Sequence, residues 1–303
     1  MSVLLGAAAL LGALWWAIFG LKPYAMDMAQ MQSRYALPQS AAAPAQAAPV
    51  MQRSPVEGQW AEDLRFRSFD GSEVYGRIRY PSDPAQAKQP FPVLLALHAM
   101  GRTQKRWWQA EFKGRPTIES THLLTELALR QGYAVIALDA RLHGERKVPG
   151  LLPTEMMEDL HWWGQREPYE RMVVDSVRDW RLLLDWVQQQ PQLDAGRVQA
   201  AGYSMGAQMA LLLGGLDARV HAVAAIVPPH LDNKVAAVAP INAVAGLAGK
   251  KVWLITADDD DHASPAQNAA LFAAIPAVDK QHQRWPGGHL LPPTYVPQLR
   301  AWF

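Results

Sequence analysis

From about residue 90 to the C-terminus, apolar residues fall into short continuous runs separated by stretches with helical spacing. Residues 93–97, 133–138, 220–227 and 251–257 are almost wholly apolar, the pattern of strands buried on both faces. Between them, residues 121–131 carry Leu123, Leu124 and Leu127 at helical spacing, and residues 169–190 read as a long amphipathic helix that Pro191 ends. Ahead of the first buried strand, residues 63–67 and 74–80 flank Asp70-Gly71 and predict an antiparallel hairpin. Strands and helices that alternate in this way predict an α/β fold, a mostly parallel central sheet with helices on both faces. Residues 141–164 interrupt the rhythm with Pro149, Pro153, Met156, Met157, Trp162 and Trp163, and they are the candidate substrate wall.

The first 58 residues follow a different pattern. Residues 3–21 contain no charged side chain, and as a helix they would extend roughly 28 Å, close to the thickness of a bilayer core. Trp15, Trp16 and Tyr24 lie toward the end of this run and Lys22 closes it, as interfacial residues do. A cleaved signal peptide would have a basic start and a shorter apolar core, so residues 1–22 are expected to be an uncleaved membrane anchor, with secretion after cleavage as the alternative. Residues 23–58, rich in Ala, Pro and Gln, are expected to be a tether, and residues 59–303 a single catalytic domain. Lys22 and Arg34 after the apolar run favour a cytoplasmic C-terminal domain, whereas analogy with other Pro/Ala-tethered proteins favours the periplasmic face of the inner membrane, which is the expectation adopted.

The chemistry is concentrated at Gly202-Tyr203-Ser204-Met205-Gly206. This G-x-S-x-G pentapeptide follows an apolar run at residues 197–201 and precedes a helix-like run at residues 207–213, the strand–turn–helix context of a nucleophile elbow. Such a turn lifts a serine hydroxyl out of the sheet on strained backbone, and side chains two residues to either side would collide with the strand and helix. It also leaves Ser204 at a helix start, where the Met205 N–H can donate to a developing oxyanion. A base and an acid should follow in the order Ser, Asp, His. The strand-like run at 251–257 leads into Asp258, Asp259, Asp260 and Asp261, and a further short strand at 281–285 leads into Pro286-Gly287-Gly288-His289. Four adjacent carboxylates cannot all be buried while ionised, so most must face water. No EF-hand spacing accompanies them, and neither a metal nor a cofactor is expected.

These segments together resemble the α/β-hydrolase family over residues 64–303, and within it the dienelactone-hydrolase-like and acetyl-esterase-like serine hydrolases. The resemblance is carried by Leu97-His98-Ala99-Met100-Gly101, by Leu138-Asp139-Ala140-Arg141-Leu142-His143-Gly144, by the Ser204 elbow, by the aspartate run and by the loop ending at His289. It implies a triad of Ser204, Asp260 and His289. The family's G-x-x-D spacing, with Ala257 in the glycine position, selects Asp260; counting back from Pro265 selects Asp261 instead. It also implies oxyanion donors at the Met100 and Met205 N–H groups, with Ala99 as the alternative for the first, although Ala99 stands where the family's H-G-x-G loop has glycine. Asp139, Arg141, His143 and Arg146 match a segment whose usual role is hydrogen bonding to the core.

Composition narrows the readings further. Half of the 303 residues are apolar, enough for one large core, and the net charge of +1 with no basic stripe excludes nucleic acid as the expected partner. The chain has no cysteine, which rules out disulfides, thiolate metal sites and a lipid-modified cysteine anchor. Among twelve tryptophans, the adjacent pairs Trp107-Trp108 and Trp162-Trp163 flank the proposed site, and Trp162 and Trp163 are the candidate substrate-binding residues, suited to a sugar or aryl ester. The expected function is hydrolysis of a small-molecule carboxylic ester. Peptidase or acyltransferase chemistry on the same fold, and a membrane-tethered binding protein without activity, are the alternatives.

Overall fold

The computed structural model describes residues 2–37 and 48–303, with side chains described from residue 10 onward. Its first elements are helix α1 (Ser2–Phe19), helix α2 (Met28–Tyr35) and edge strand β1 (Gln52–Pro55). Strands β2 (Ala61–Arg67) and β3 (Glu73–Arg79) form the predicted antiparallel hairpin and lead to β4 (Phe91–Leu97). A two-stranded ribbon, β5 (Glu111–Phe112) with β6 (Arg115–Pro116), precedes helix α3 (Thr121–Arg130) and strand β7 (Ala134–Leu138). Helices α4 (Pro153–Trp163) and α5 (Glu167–Val187) follow, then strand β8 (Leu193–Tyr203) and helix α6 (Met205–Leu216). The remaining elements are β9 (Val220–Ile226), β10 (Lys251–Ala257), α7 (Pro265–Ala274), β11 (Lys280–Trp285) and the short α8 (Tyr295–Gln298).

The main sheet has nine strands in the order β1-β2-β3-β7-β4-β8-β9-β10-β11. β1, β2 and β3 form an antiparallel edge, and from β7 onward the neighbouring strands are parallel. This is the expected α/β arrangement. Alternation along β4 divides the core between the two faces: Val93, Leu95 and Leu97 join the cluster under α5 and α6, and Leu94 and Ala96 join the cluster under α3 and α8. A register shift between Val198 and Gln199 lets the long β8 accommodate β9 before it reaches the elbow.

Two parts of the N-terminal region differ from the sequence expectation. Residues 23–58 are more than a tether, because α2 docks on the domain with Met31 and Tyr35 fully buried one helical turn apart. A capping box between Asp27 and Gln30 starts this helix, and the Tyr35 hydroxyl donates to the Ala237 carbonyl at 2.8 Å. β1 adds a strand from the same region, while the Ala/Pro-rich stretch 38–47 lies outside the described residues. The expected membrane-spanning segment is not supported either: among the described residues no helix is long and apolar enough to cross a membrane. Instead the C-terminal half of α1 rests on α4, with the rings of Trp15 and Trp162 6.0 Å apart and those of Phe19 and Trp163 5.1 Å apart, both edge-on.

Candidate active site

The elbow is built by close backbone approach. Ser204 has φ 56° and ψ −119°, a strained conformation for a residue with a side chain, between the end of β8 and the first turn of α6. A Cβ added to Gly202 would stand 2.1 Å from the Gly206 carbonyl oxygen, and one added to Gly206 would stand 2.1 Å from the Leu97 oxygen. Both positions therefore require glycine for lack of space. The Ser204 N–H donates to the Ile226 carbonyl at 2.9 Å, which ties the turn to β9.

His289 reaches this serine from the loop after β11. Its Nε2 stands 2.9 Å from Ser204 Oγ, and its Nδ1 stands 2.9 Å and 3.0 Å from the two carboxylate oxygens of Asp260. The Asp260 side chain is 1% exposed, and its Oδ1 also accepts the His262 N–H at 2.9 Å. The neighbouring acids are spent elsewhere. Asp258 pairs with Arg284 at 2.7 Å, and Asp261 is 82% exposed. The two loops are joined because β10–β11 pairing continues beyond the strands, with Asp258 N–H donating to Trp285 O and Asp259 N–H to Gly287 O, both at 2.9 Å. Gly287, at φ 98°, supplies the left-handed turn that brings the histidine back over the sheet.

Tyr203, the residue before Ser204, fixes the histidine loop from below. Its hydroxyl donates to the His289 carbonyl at 2.9 Å and accepts the Leu291 N–H at 3.0 Å, and burial pushes its pKa up to about 12. Two further groups that sequence reasoning passed over also border the site. Gln208, one turn along α6 from Ser204, accepts the Tyr169 hydroxyl at 2.9 Å and donates to Val238 O at 2.9 Å. Glu119, 5% exposed, pairs with Arg102 on the cavity wall. Helical spacing from Ser204 could have singled out Gln208; nothing in the sequence separates Glu119 from surface acids.

The Ser204 hydroxyl opens into a cavity of about 670 Å³ lined by apolar groups that include Met100, Leu152, Met157, Leu231 and Leu290. Met100, Met205 and Ala99 all border it, and among the hydrogen bonds of the described residues neither the Met100 nor the Met205 N–H is spent on a protein acceptor. Ala99 does not distort the loop, because the left-handed position falls on Gly101 at φ 72°. His98 orders it: the Ala140 N–H donates to His98 Nε2 at 3.0 Å, leaving Nδ1 to donate to Ala99 O at 2.8 Å, and burial lowers its pKa to about 4. Trp162 and Trp163 do not line this cavity; they face α1. Trp107 is fully buried beneath the loop and Trp108 bonds to Gln104.

The Asp139 segment is a structural network. Asp139 is buried, which raises its pKa, and accepts the Thr103 hydroxyl and Gln104 N–H, both at 2.8 Å, together with the Glu145 N–H at 3.0 Å. Arg141 and Arg146 converge on the buried Asp179 at 2.9 Å and 2.7 Å. His143 is held near pKa 3, chiefly by burial, and its Nδ1 contacts the Arg141 carbonyl at 2.7 Å.

Residues 110–282, more than half of the chain, match the model of the dienelactone hydrolase family. The chain belongs to that family. The matched span holds Ser204 and Asp260, and His289 lies just beyond it. No curated protein matches the sequence. Among solved structures, this dienelactone hydrolase family member is similar to acetyl xylan esterase 1 from a Thermoanaerobacterium species, with TM-score 0.68 and 17% identity over 93% of each chain. A cold-adapted esterase from an Arctic intertidal metagenomic library superposes with TM-score 0.60 and 19% identity, covering 82% of this chain and 97% of its own. An acetyl xylan esterase from Paenibacillus sp. R4 does so with TM-score 0.59 and 15% identity, covering 91% of this chain and 98% of its own. At these identities the likeness is one of fold.

Proposed function

We propose that this protein hydrolyses carboxylic esters through an acyl-enzyme on Ser204. The observation that carries the reading is the hydrogen-bonded line from Ser204 Oγ through His289 to the buried Asp260 carboxylate, at the floor of an apolar cavity. His289 Nε2 takes the serine proton as Oγ bonds to the acyl carbon, and the carbonyl electron pair moves onto oxygen. The Met205 and Met100 N–H groups receive that oxyanion, each worth about 3 kcal/mol in related chemistry. Collapse of the intermediate breaks the carbon–oxygen bond to the alcohol, which leaves with the proton from His289. Water then attacks the acyl-serine, giving its proton to His289, and Ser204 is regenerated as the acid departs. Asp260 holds Nδ1 protonated and stabilises the imidazolium throughout.

Family membership and the esterases among the similar structures support the same reaction class. The cavity's apolar lining supports an ester with at least one apolar part, whereas the tryptophans that favoured a sugar or aryl group lie outside it. The test is turnover of p-nitrophenyl esters from acetate to octanoate by the wild type, Ser204→Ala and His289→Ala. Both variants should lose at least about 10⁴-fold in kcat. A folded wild-type protein that leaves the whole panel intact would overturn the reading. Placement at the inner membrane facing the periplasm rests on the charge-free run at residues 3–21 and on analogy with other tethered esterases, against the cytoplasmic side that Lys22 and Arg34 favour.

A further inference from the structure

The catalytic cavity does not end at its own walls. Met157 and Leu231 line it and also line a second cavity, whose other side is formed by Trp15, Trp16 and Leu21 of the N-terminal segment. α4 connects the two: its N-terminus borders the catalytic mouth at Leu152 and Pro153, and about 16 Å further along its last turn meets α1. Between its two ends α4 buries Met156 and Leu160 and exposes Thr154, Glu155, Glu158 and His161, so the apolar exposed side chains lie at the ends of the path. Leu152 and Leu290 at the mouth are about half exposed, as are Trp162 and Trp163 at the far end.

α1 extends this surface. Its residues from 10 to 19 carry no polar side chain, and they divide into two stripes. Trp15 and Phe19 pack on the α4 tryptophans, while Leu10, Leu14 and Ile18, one turn apart, point away from the protein and are 74%, 58% and 63% exposed. Trp16 stands beside them, more than half exposed, with the Lys22 ammonium 3.3 Å from its ring centroid. A helix that is apolar on all sides and only partly covered needs an apolar medium. Tryptophans and a flanking lysine that can reach toward headgroups are the residues that suit the bilayer interface.

We propose that the face made by Leu10, Leu14, Ile18, Trp16, Trp162 and Trp163 lies on a lipid bilayer, so that the catalytic cavity opens at the membrane surface and receives amphiphilic carboxylic esters from it. α1 then rests in the interface, and the apolar route from it to Ser204 runs through Met157 and Leu231, which line both cavities. The substrate half of this inference rests on the hydrolase reading; the docking half does not.

The test is flotation of the full chain with vesicles of phosphatidylcholine and phosphatidylglycerol, alongside turnover of p-nitrophenyl acetate in solution and of p-nitrophenyl decanoate carried in the same vesicles. The wild type should float. Leu10→Glu/Leu14→Glu/Ile18→Glu, which alters only exposed positions, should lose at least about tenfold in vesicle partition and in decanoate turnover. Its acetate turnover should stay within about twofold of wild type, since none of the three residues borders the catalytic cavity. As a measurement independent of the variant, vesicles of brominated phosphatidylcholine should quench the wild-type tryptophan fluorescence. A wild type that neither floats nor is quenched, or a variant that floats as well as wild type, overturns the proposal. So does a concentration-dependent dimer that the triple variant abolishes in the absence of vesicle binding, because a second copy would then be the occupant. Flotation without any acetate turnover would remove the hydrolase reading and leave the docking surface standing.

Discussion

Replacing Asp260 with asparagine isolates the role of one carboxylate in a run of four. His289 Nδ1 lies 2.9 Å from its nearer oxygen, and the acid's side chain is 1% exposed. At an effective dielectric of about 20, a unit charge pair at this separation is worth about 5–6 kcal/mol. That energy is available only while His289 is protonated, during attack and collapse, so its loss falls on the transition state and corresponds to a drop of about 10⁴-fold in kcat/KM. Asparagine also allows the histidine to hold its proton on Nε2, where it cannot accept from the serine. Asp261→Asn is the internal control: that side chain is 82% exposed and has no contact with His289, so its effect should stay within about twofold. The assay is kcat/KM for p-nitrophenyl acetate, with far-UV circular dichroism and thermal unfolding to verify that both variants fold. Equal losses in the two variants, or a larger loss in Asp261→Asn, would refute the assignment of the acid.

Other consequences of the structure are open to simple measurement. Tyr203→Phe removes the partner of the buried Leu291 N–H and the bond to the His289 carbonyl, so it should cost about 1–3 kcal/mol in urea unfolding and lower kcat more than it raises KM; unchanged kcat and stability would show that the tyrosine does not position the loop. Gly206→Ala would drive a methyl to 2.1 Å from the Leu97 carbonyl oxygen, and soluble protein with wild-type activity from this variant would contradict the elbow geometry. His98 and His143 are buried as neutral rings with pKa about 4 and about 3, below the ordinary value of about 6.5. Their folded pKa values are depressed, so the stability they contribute is complete above pH 6.5 and is lost as pH falls through 4 and then 3. The unfolding midpoint should therefore fall by several degrees between pH 6.5 and pH 4, and a flat profile over that window would count against their burial in neutral form.

The parts of the fold legible in the sequence are those that physical chemistry constrains tightly. Strands buried on both faces must be continuously apolar, so β4, β7, β9 and β10 stand out. The elbow needs glycines at 202 and 206 because backbone approaches backbone there, and that need leaves a mark in the sequence. The acid is harder to read, since four identical side chains differ only in direction; the G-x-x-D spacing that the family resemblance implies selects Asp260 and the count from Pro265 selects Asp261, and it is the Asp260 carboxylate that stands 2.9 Å from His289. Helix α2 was not legible because it buries only Met31 and Tyr35, too few positions to make a period, and its docking depends on distant groups such as Ala237. Helix α4 is hard to see within residues 141–164, the stretch that interrupts the rhythm, because Pro153 reads as a breaker there, although it stands at the first turn, where proline is compatible with a helix. The placement of Trp162 and Trp163 depends on where α1 lies, which no local pattern encodes.

The most direct measurement of the central claim, that a hydroxyl, an imidazole and a buried carboxylate act as one unit, is covalent labelling by an alkyl fluorophosphonate followed by intact-mass and peptide analysis. The predicted result is a single phosphonyl adduct on Ser204 in the wild type, formed far more slowly in His289→Ala and absent in Ser204→Ala. Folded wild-type protein that takes up no label, or takes it up at another residue, would contradict it.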